Sequence, residues 1–131
     1  MPIPKKSPKP TEAEYDILQI LWAHGSATVR AVHEHLFKKK PSQYTTTLKL
    51  MQVMAEKGLL KRDETNRSHV YHPQITRAEA EQQIAGHILN RVFGGSARSL
   101  LLGALGAKRA SRKELAELRE LIDEHERGRK R

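Results

Sequence analysis

The chain has 131 residues and carries 24 Lys and Arg against 15 Asp and Glu, which gives a formal net charge of +9. This length suits one ordinary domain or two small units, and it excludes most complete metabolic enzymes. The absence of cysteine excludes disulfides and thiolate metal or redox sites. The positive charge predicts a polyanionic partner, most simply nucleic acid, although a ribosome or a membrane surface would satisfy the same charge.

No membrane-spanning or export segment is expected. A run of 18 apolar residues does not occur in the sequence. The first ten residues, MPIPKKSPKP, are rich in Pro and Lys and lack the apolar stretch of a signal peptide. We therefore expect a cytoplasmic protein without membrane insertion, in which residues 1–10 form a flexible basic arm.

Two short helices are predicted at the start of the folded part. Thr11 and Glu14 are spaced as a capping box that opens the first helix, and Gly25 is placed to end it. Thr28 is placed to cap a second helix, which cannot continue through Pro41. Trp22 lies on the apolar stripe of the first helix and is expected in the core.

A third helix and a hairpin follow. The helix is predicted from about Tyr44 to Lys57, with Gly58 in the C-terminal stop position. Two strand-like runs, 59–62 and 68–72, then flank a polar turn and predict a small hairpin.

The C-terminal half is predicted to be mainly helical, and Gly103 and Gly106 fit either close approach between helices or a flexible loop. Its helices are separated at Gly94 and Gly95, and the tail is expected to be frayed and basic from Arg127. Two further capping boxes open helices here: Thr76 with Glu79, and Ser111 with Glu114. The apolar stripes exceed what short helices can hide alone, which predicts an intertwined dimer. The predicted dimerisation residues are Ile84, Ile88, Leu100, Leu101, Leu115, Leu118 and Ile122.

Basic charge is concentrated in one part of the N-terminal half. Residues 38–67 contain eight Lys and Arg against three acids, whereas the rest of residues 1–75 contains four of each. The third helix and the hairpin lie in this segment, and they are the elements that a winged helix-turn-helix presents to DNA. The predicted fold is therefore mainly α with a small β-hairpin: a winged helix-turn-helix domain at 11–75 and a helical dimerisation domain at 76–131 with a basic C-terminal tail.

The third helix starts with three threonines in the stretch QYTTTLKLMQ. At 100° per residue, Thr45 and Thr46 share an outward face with Lys49. Tyr44 and Thr47 fall on the core side. The free N–H groups and positive dipole of a helix start favour a phosphate, and short hydroxyls can reach phosphate oxygens or base edges.

These residues resemble, in chain order, the BlaI/MecI/CopY family of penicillinase and copper-responsive repressors. The resemblance covers residues 10–127 and is carried by PTEAEYDILQILWAHGSATVRAVHEHL, YTTTLKLMQVMAEKGLL, VYHP, FGGSARSLLL and KELAELRELI. It implies a winged-helix domain, a C-terminal helical dimerisation domain, and repression by a homodimer on a palindromic double-stranded DNA operator. It also places Thr45 and Thr46 at the start of the recognition helix and Arg67 on the wing.

Face, charge and resemblance together predict the DNA contacts. Base edges are assigned to Thr46 and Lys49. Phosphates are assigned to Lys38, Lys39, Lys40, Thr45, Lys57 and Arg67.

The chain departs from the family pattern at four points. Val53 stands where the family commonly has Arg, and Asn66 where it has Gly, so base preference and wing shape differ. Without cysteine, thiolate copper sensing is excluded. Family members that act with β-lactam receptors are cleaved at an Asn-Phe bond, which does not occur here; the corresponding place lies near Gly103 and Ala104. A membrane-bound sensor peptidase is therefore a partner hypothesis that rests on the resemblance alone.

The same sequence also bears on metal binding, cofactor binding, catalysis and two rival binding functions. The histidine spacings do not predict a metal site, no cofactor motif occurs, and no catalytic motif indicates an enzyme. Two rivals stay open: a nonspecific basic binder of RNA or chromosomal DNA, and a helical adaptor that binds an acidic protein.

Overall fold

The computed structural model describes residues 9–129, which form helices and one small sheet. The elements are α1 Glu12–His24, β1 Ala27–Thr28, α2 Val29–Lys39, α3 Tyr44–Lys57, β2 Leu60–Asp63, β3 Val70–Pro73, α4 Arg77–Arg91, α5 Ala97–Ala107 and α6 Arg112–Arg129. The chain divides into two compact units, one ending at Ile88 and the other beginning at Leu89. The division falls within α4, and Ala80 of α4 belongs to the core of the first unit.

The first three helices begin and end where the sequence predicts. The capping box of α1 is complete: the Thr11 N–H donates to Glu14 Oε1 (3.0 Å) and the Glu14 N–H donates to Thr11 Oγ1 (3.1 Å). Gly25 ends this helix with a φ of 85°, which L side chains rarely adopt. Thr28 Oγ1 caps α2 by accepting from the Ala31 N–H at 3.2 Å.

The predicted hairpin forms, but its strands are shifted and a third strand joins them. The observed strands are Leu60–Asp63 and Val70–Pro73, one or two residues later than predicted. The two residues of β1 pair with β3 and give the antiparallel order β1-β3-β2. A two-residue strand has no readable period, which is why sequence patterning missed it. With α1, α2 and α3 this hairpin makes a winged helix-turn-helix.

Trp22, which was expected in the core, is partly buried and packs against the buried core residues. Its indole Nε1–H donates to the Ile75 carbonyl at 2.9 Å, and the Arg77 guanidinium lies 4.9 Å from the ring centroid. A polar partner for the indole N–H and a cation over the ring suit a tryptophan at the rim. Trp22 therefore fastens the start of α4 to α1.

Near both ends of the described part, at Pro10 and at residues 127–129, the structure differs from the prediction. Residues 1–8 of the expected flexible arm lie outside the described part, and Pro10, its last residue, is buried, which corrects the prediction for that position. Pro10 precedes the N-cap of α1, a position where an apolar residue commonly packs on the first turn. The predicted fraying from Arg127 is wrong, because α6 continues to Arg129, and residues 130–131 lie outside the described part. Basic residues in a last helical turn complement the dipole.

The second unit has no fully buried residue in α5 or α6. Large apolar side chains remain exposed there, led by Val92 (65%), Leu102 (62%) and Leu121 (60%). Of the described helices, none is both long and apolar enough to cross a membrane.

One buried carboxylate joins α1 to the far end of α3. Glu14 is 2% exposed, and its Oε2 accepts from the Lys57 ammonium at 2.7 Å while its Oε1 closes the capping box. A buried charge is costly unless it is paired and hydrogen-bonded, and both oxygens of Glu14 meet that condition.

We expect Lys57→Met to lower the free energy of unfolding by about 1 to 2 kcal/mol, because it leaves the Glu14 carboxylate buried without a counter-charge. The loss is smaller than for a fully buried pair, since the Lys57 side chain is 34% exposed. Urea unfolding measures it, and adding Glu14→Gln should restore part of the loss. Lys49→Met on the same helix is the control, with a change within about 0.5 kcal/mol. Equal effects of the two lysine substitutions would contradict this account.

Candidate nucleic-acid interface

The three threonines of α3 divide between two faces as predicted. Thr45 and Thr46 are exposed, as is Lys49, whereas Thr47 is 1% exposed. The structure adds what the sequence did not predict: Thr47 Oγ1 is hydrogen-bonded to Nδ1 of His33 on α2, at 2.9 Å. Thr47 thus fixes the angle between α2 and α3 through a polar contact.

The N-terminus of α3 leaves donors free for a ligand. Gln43 is the N-cap residue, but its side chain makes no capping hydrogen bond. The first N–H groups of a helix lack intrahelical partners and carry the positive end of the dipole. The hydroxyls of Thr45 and Thr46 are exposed beside them, so this helix end can bind an anion through both backbone and side-chain donors.

Tyr44 is exposed, which corrects its predicted place on the core side. It is 38% exposed and its ring meets the edge of His33 with a centroid distance of 5.6 Å. The first residue of a helix lies outside the packed turns, so a helical-wheel assignment is least secure there. The Arg30 guanidinium lies over the Tyr44 ring, 5.5 Å from its centroid.

The lysine run lies at the end of α2, just before the loop into α3. Lys38, Lys39 and Lys40 are all exposed, and the first two occupy the last turn of the helix. They complement the negative end of the α2 dipole. Their charge is also directed to solvent close to the start of α3.

The wing is held by two local contacts that occupy its acidic groups. Arg62 binds Glu64 through Nε at 2.7 Å and Nη2 at 2.6 Å. Asp63 Oδ1 accepts from the Thr65 hydroxyl at 2.6 Å and from its N–H at 2.9 Å. These hydrogen bonds lower the pKa of Asp63. Contact with Tyr71 and with Glu64 raises the pKa of Arg62.

An open groove of about 440 Å³ lies between the start of α2, the outer side of α3 and the wing. Its lining comprises Thr28, Val29, Arg30, Tyr44, Leu48, Gln52, Arg62, Arg67, Ser68, His69 and Tyr71. The predicted contact Arg67 is therefore joined by residues that sequence patterning missed, among them Arg30 and Tyr44. A cation in the first turn of a helix opposes the dipole, and this was a usable signal for Arg30.

Lys57 is separated from the other predicted contacts. It lies in the last turn of α3, whereas Thr45 and Thr46 lie in the first, and its ammonium is bound to Glu14. Its predicted phosphate contact stays a prediction, and the structure gives this lysine a stabilising partner within the protein.

The histidines do not converge within residues 9–129. No group of three or more His, Asp or Glu side chains in that range is placed to hold a metal ion. His33 contacts Thr47 and Tyr44, while His35 stacks on His24 with ring centroids 4.7 Å apart.

Comparison with known proteins identifies the family to which this fold and surface belong. Residues 10–124 match the family model of the penicillinase repressor. The chain belongs to the penicillinase repressor family. The predicted resemblance is thereby confirmed, and the family is one of transcriptional repressors.

Relatives within the penicillinase repressor family span nearly the same length. The penicillinase repressor of Bacillus licheniformis is 27% identical over 96% of this chain and 98% of its own. The penicillinase repressor of Staphylococcus aureus is 25% identical over 86% of this chain and 89% of its own. The solution structure of the DNA binding domain of the repressor BlaI superposes with a TM-score of 0.52 and 27% identity, over 57% of this chain and 92% of that one. The winged-helix prediction is confirmed.

We expect Thr65→Val to raise the pKa of Asp63 toward the ordinary aspartate value of about 3.9, because it removes the hydroxyl that stabilises the carboxylate. Since the folded-state pKa of Asp63 is lowered, its contribution to wing stability is present above the unfolded pKa and is lost as the pH falls through the folded one. A carbon-13 titration of the Asp63 carboxyl group in both proteins measures the shift. The same titration midpoint in both would contradict the assignment.

Proposed function

We propose that this penicillinase repressor family member represses transcription as a homodimer on a palindromic operator in double-stranded DNA. The observation that carries the proposal is the outward face of α3, where Thr45, Thr46 and Lys49 are exposed beside an N-terminus without a side-chain cap. The likeness to the DNA binding domain of BlaI supports DNA as the partner. DNA is the partner, so the protein acts in the cytoplasm, and binding requires neither a cofactor nor catalysis.

The contacts follow from side-chain length and position. Thr46 and Lys49 lie on the exposed side of α3, where a helix in the major groove meets base edges. Thr45, Arg67 and the 38–40 lysines are assigned to phosphates, since they surround that face and carry hydroxyls or cations.

Dimerisation through the second unit is supported by its exposed apolar side chains. Among the predicted dimerisation residues, Ile122 of this unit is 54% exposed, and Ile88, at the end of the first unit, is 37% exposed. The others are partly buried. Val92, Leu102 and Leu121 are more exposed and extend the predicted set. Burying these side chains against a second copy removes apolar area that this unit cannot cover by itself.

Release of the operator by a membrane-bound sensor peptidase belongs to the proposal through the family resemblance alone. The place that corresponds to the family's cleavage region, near Gly103 and Ala104, is exposed but helical. A peptidase needs an extended segment, so α5 must open locally before cleavage. The same region lacks the Asn-Phe bond.

We expect selection of bound duplexes from a random pool to yield a palindrome with two half-sites about one helical turn apart or a multiple of it. Enrichment without any sequence preference, together with a steep salt dependence, would instead favour the nonspecific basic binder. Failure to retain duplexes at all would favour the helical adaptor.

On the selected site, Lys49→Ala should cost about 1 to 3 kcal/mol of binding free energy and relax discrimination at one base pair, as the loss of a base contact does. Binding titrations on cognate and random duplexes measure this difference. Lys113→Ala, an exposed lysine of α6, is the control. Equal losses on both duplexes would make Lys49 a phosphate contact.

Leu102→Glu should weaken dimerisation at least about tenfold, because it places a charge in an apolar contact. Sedimentation equilibrium across a concentration series measures the change in mass. Phe37→Glu, at a 51% exposed position in the first unit, is the control and should leave the mass unchanged. A monomeric wild-type protein would contradict the dimer.

A further inference from the structure

Arg30 occupies a position that local helix energetics do not favour. It is exposed in the first turn of α2, where the dipole disfavours a cation, and that turn contains no acidic residue. Within residues 9–129 its guanidinium makes no ion pair with a carboxylate. A residue that the local helix dipole disfavours, and that no ion pair in the fold compensates, is commonly a functional residue.

The position of Arg30 is nevertheless fixed. Its guanidinium lies 5.5 Å from the Tyr44 ring centroid, and that ring rests against His33 at a centroid distance of 5.6 Å and an angle of 83°. His33 is hydrogen-bonded to the buried hydroxyl of Thr47 at 2.9 Å. A continuous set of contacts therefore runs from the core of the first unit to the guanidinium and holds it over the start of α3.

The groove that receives this guanidinium is basic on both sides. Arg30 lines it from α2 and Arg67 from the wing, and the described lining residues include no Asp or Glu. Arg62 also lines it, but its charge is matched by Glu64. A second hollow shares Gln52 and Arg62 with the groove but differs in charge, because Glu56 and Glu64 line it together with Lys61. Of these two hollows, only the groove has cationic lining residues and no acidic one among its described lining.

We infer that this groove takes one sugar-phosphate strand of duplex DNA, with Arg30 as a phosphate contact and Tyr44 as its positioning residue. The inference rests on the proposed DNA binding and adds to it Arg30 of α2, which lies outside α3 and the wing, and Tyr44 at the start of α3. A guanidinium presents a planar set of N–H donors that matches phosphate oxygens, and stacking on an aromatic ring leaves those edge donors free.

The test compares the full-length wild-type protein with Arg30→Gln on the selected duplex and on a random duplex at several salt concentrations. Loss of one phosphate contact should weaken binding about tenfold on both duplexes and reduce the slope of log affinity against log salt by about one unit. Arg77→Gln is the matched control. Its guanidinium also stacks on an aromatic ring, 4.9 Å from Trp22, but it lies outside the groove.

Tyr44 is tested by two substitutions. Tyr44→Phe keeps the ring under Arg30 and should retain wild-type affinity, whereas Tyr44→Leu should weaken binding severalfold. In the Tyr44→Leu background, Arg30→Gln should have a smaller further effect, because the two residues act as one unit. Thermal unfolding of each variant confirms that the comparison is made on folded protein.

The inference is overturned if Arg30→Gln binds with the wild-type salt slope, or if Arg77→Gln lowers the slope equally. The proposed function fails differently, since it is overturned if the wild-type protein selects no sequence. The salt slope is measured on random duplexes as well, so a failure of sequence selection leaves the Arg30 test intact.

Discussion

Glu14 carries a charge inside the protein, and the first unit is built so that both of its oxygens are bound. One oxygen closes the capping box with Thr11 and the other accepts from Lys57. Glu14 lies in the first turn of α1 and Lys57 in the last turn of α3. This ion pair therefore joins the start of α1 to the end of α3. The direction of α3, and hence where its N-terminus emerges, depends on that pairing.

The other end of α3 is held by a side-chain hydrogen bond. The hydrogen bond between Thr47 and His33 joins α3 to α2 close to the exposed Thr45 and Thr46. A surface that reads base edges requires its side chains within a fraction of an ångström of their places, and such precision comes from supporting residues that are packed or hydrogen-bonded. Contacts at both ends, one an ion pair and one a hydrogen bond, therefore let the exposed face remain free of internal partners.

What could be predicted from the sequence is what is encoded locally. Caps such as Thr11 with Glu14, and stops such as Gly58, fixed the helix bounds, because each signal acts within four residues. The outward face of α3 followed from helical geometry in the same way. The ion pair of Lys57 and the stack of Arg30 on Tyr44 join residues distant in the chain, and no spacing rule encodes them. Strand bounds were less accurate because pairing between strands decides them.

The two units contribute in different ways. The first is stable through its own core, and the second is proposed to raise the affinity for DNA through dimerisation. The first contains a closed core around residues such as Ile17 and Met51, so its DNA-contacting surface does not need a partner in order to form. The second exposes apolar residues, which association in the proposed dimer would bury. One winged helix makes few contacts. In the proposed dimer, binding of the first winged helix to its half-site would raise the effective concentration of the second at the other half-site. Occupancy of the operator would then be linked to dimerisation, and a signal that opens the second unit would lower DNA affinity without changing the proposed contacts Thr45, Lys49 and Arg30.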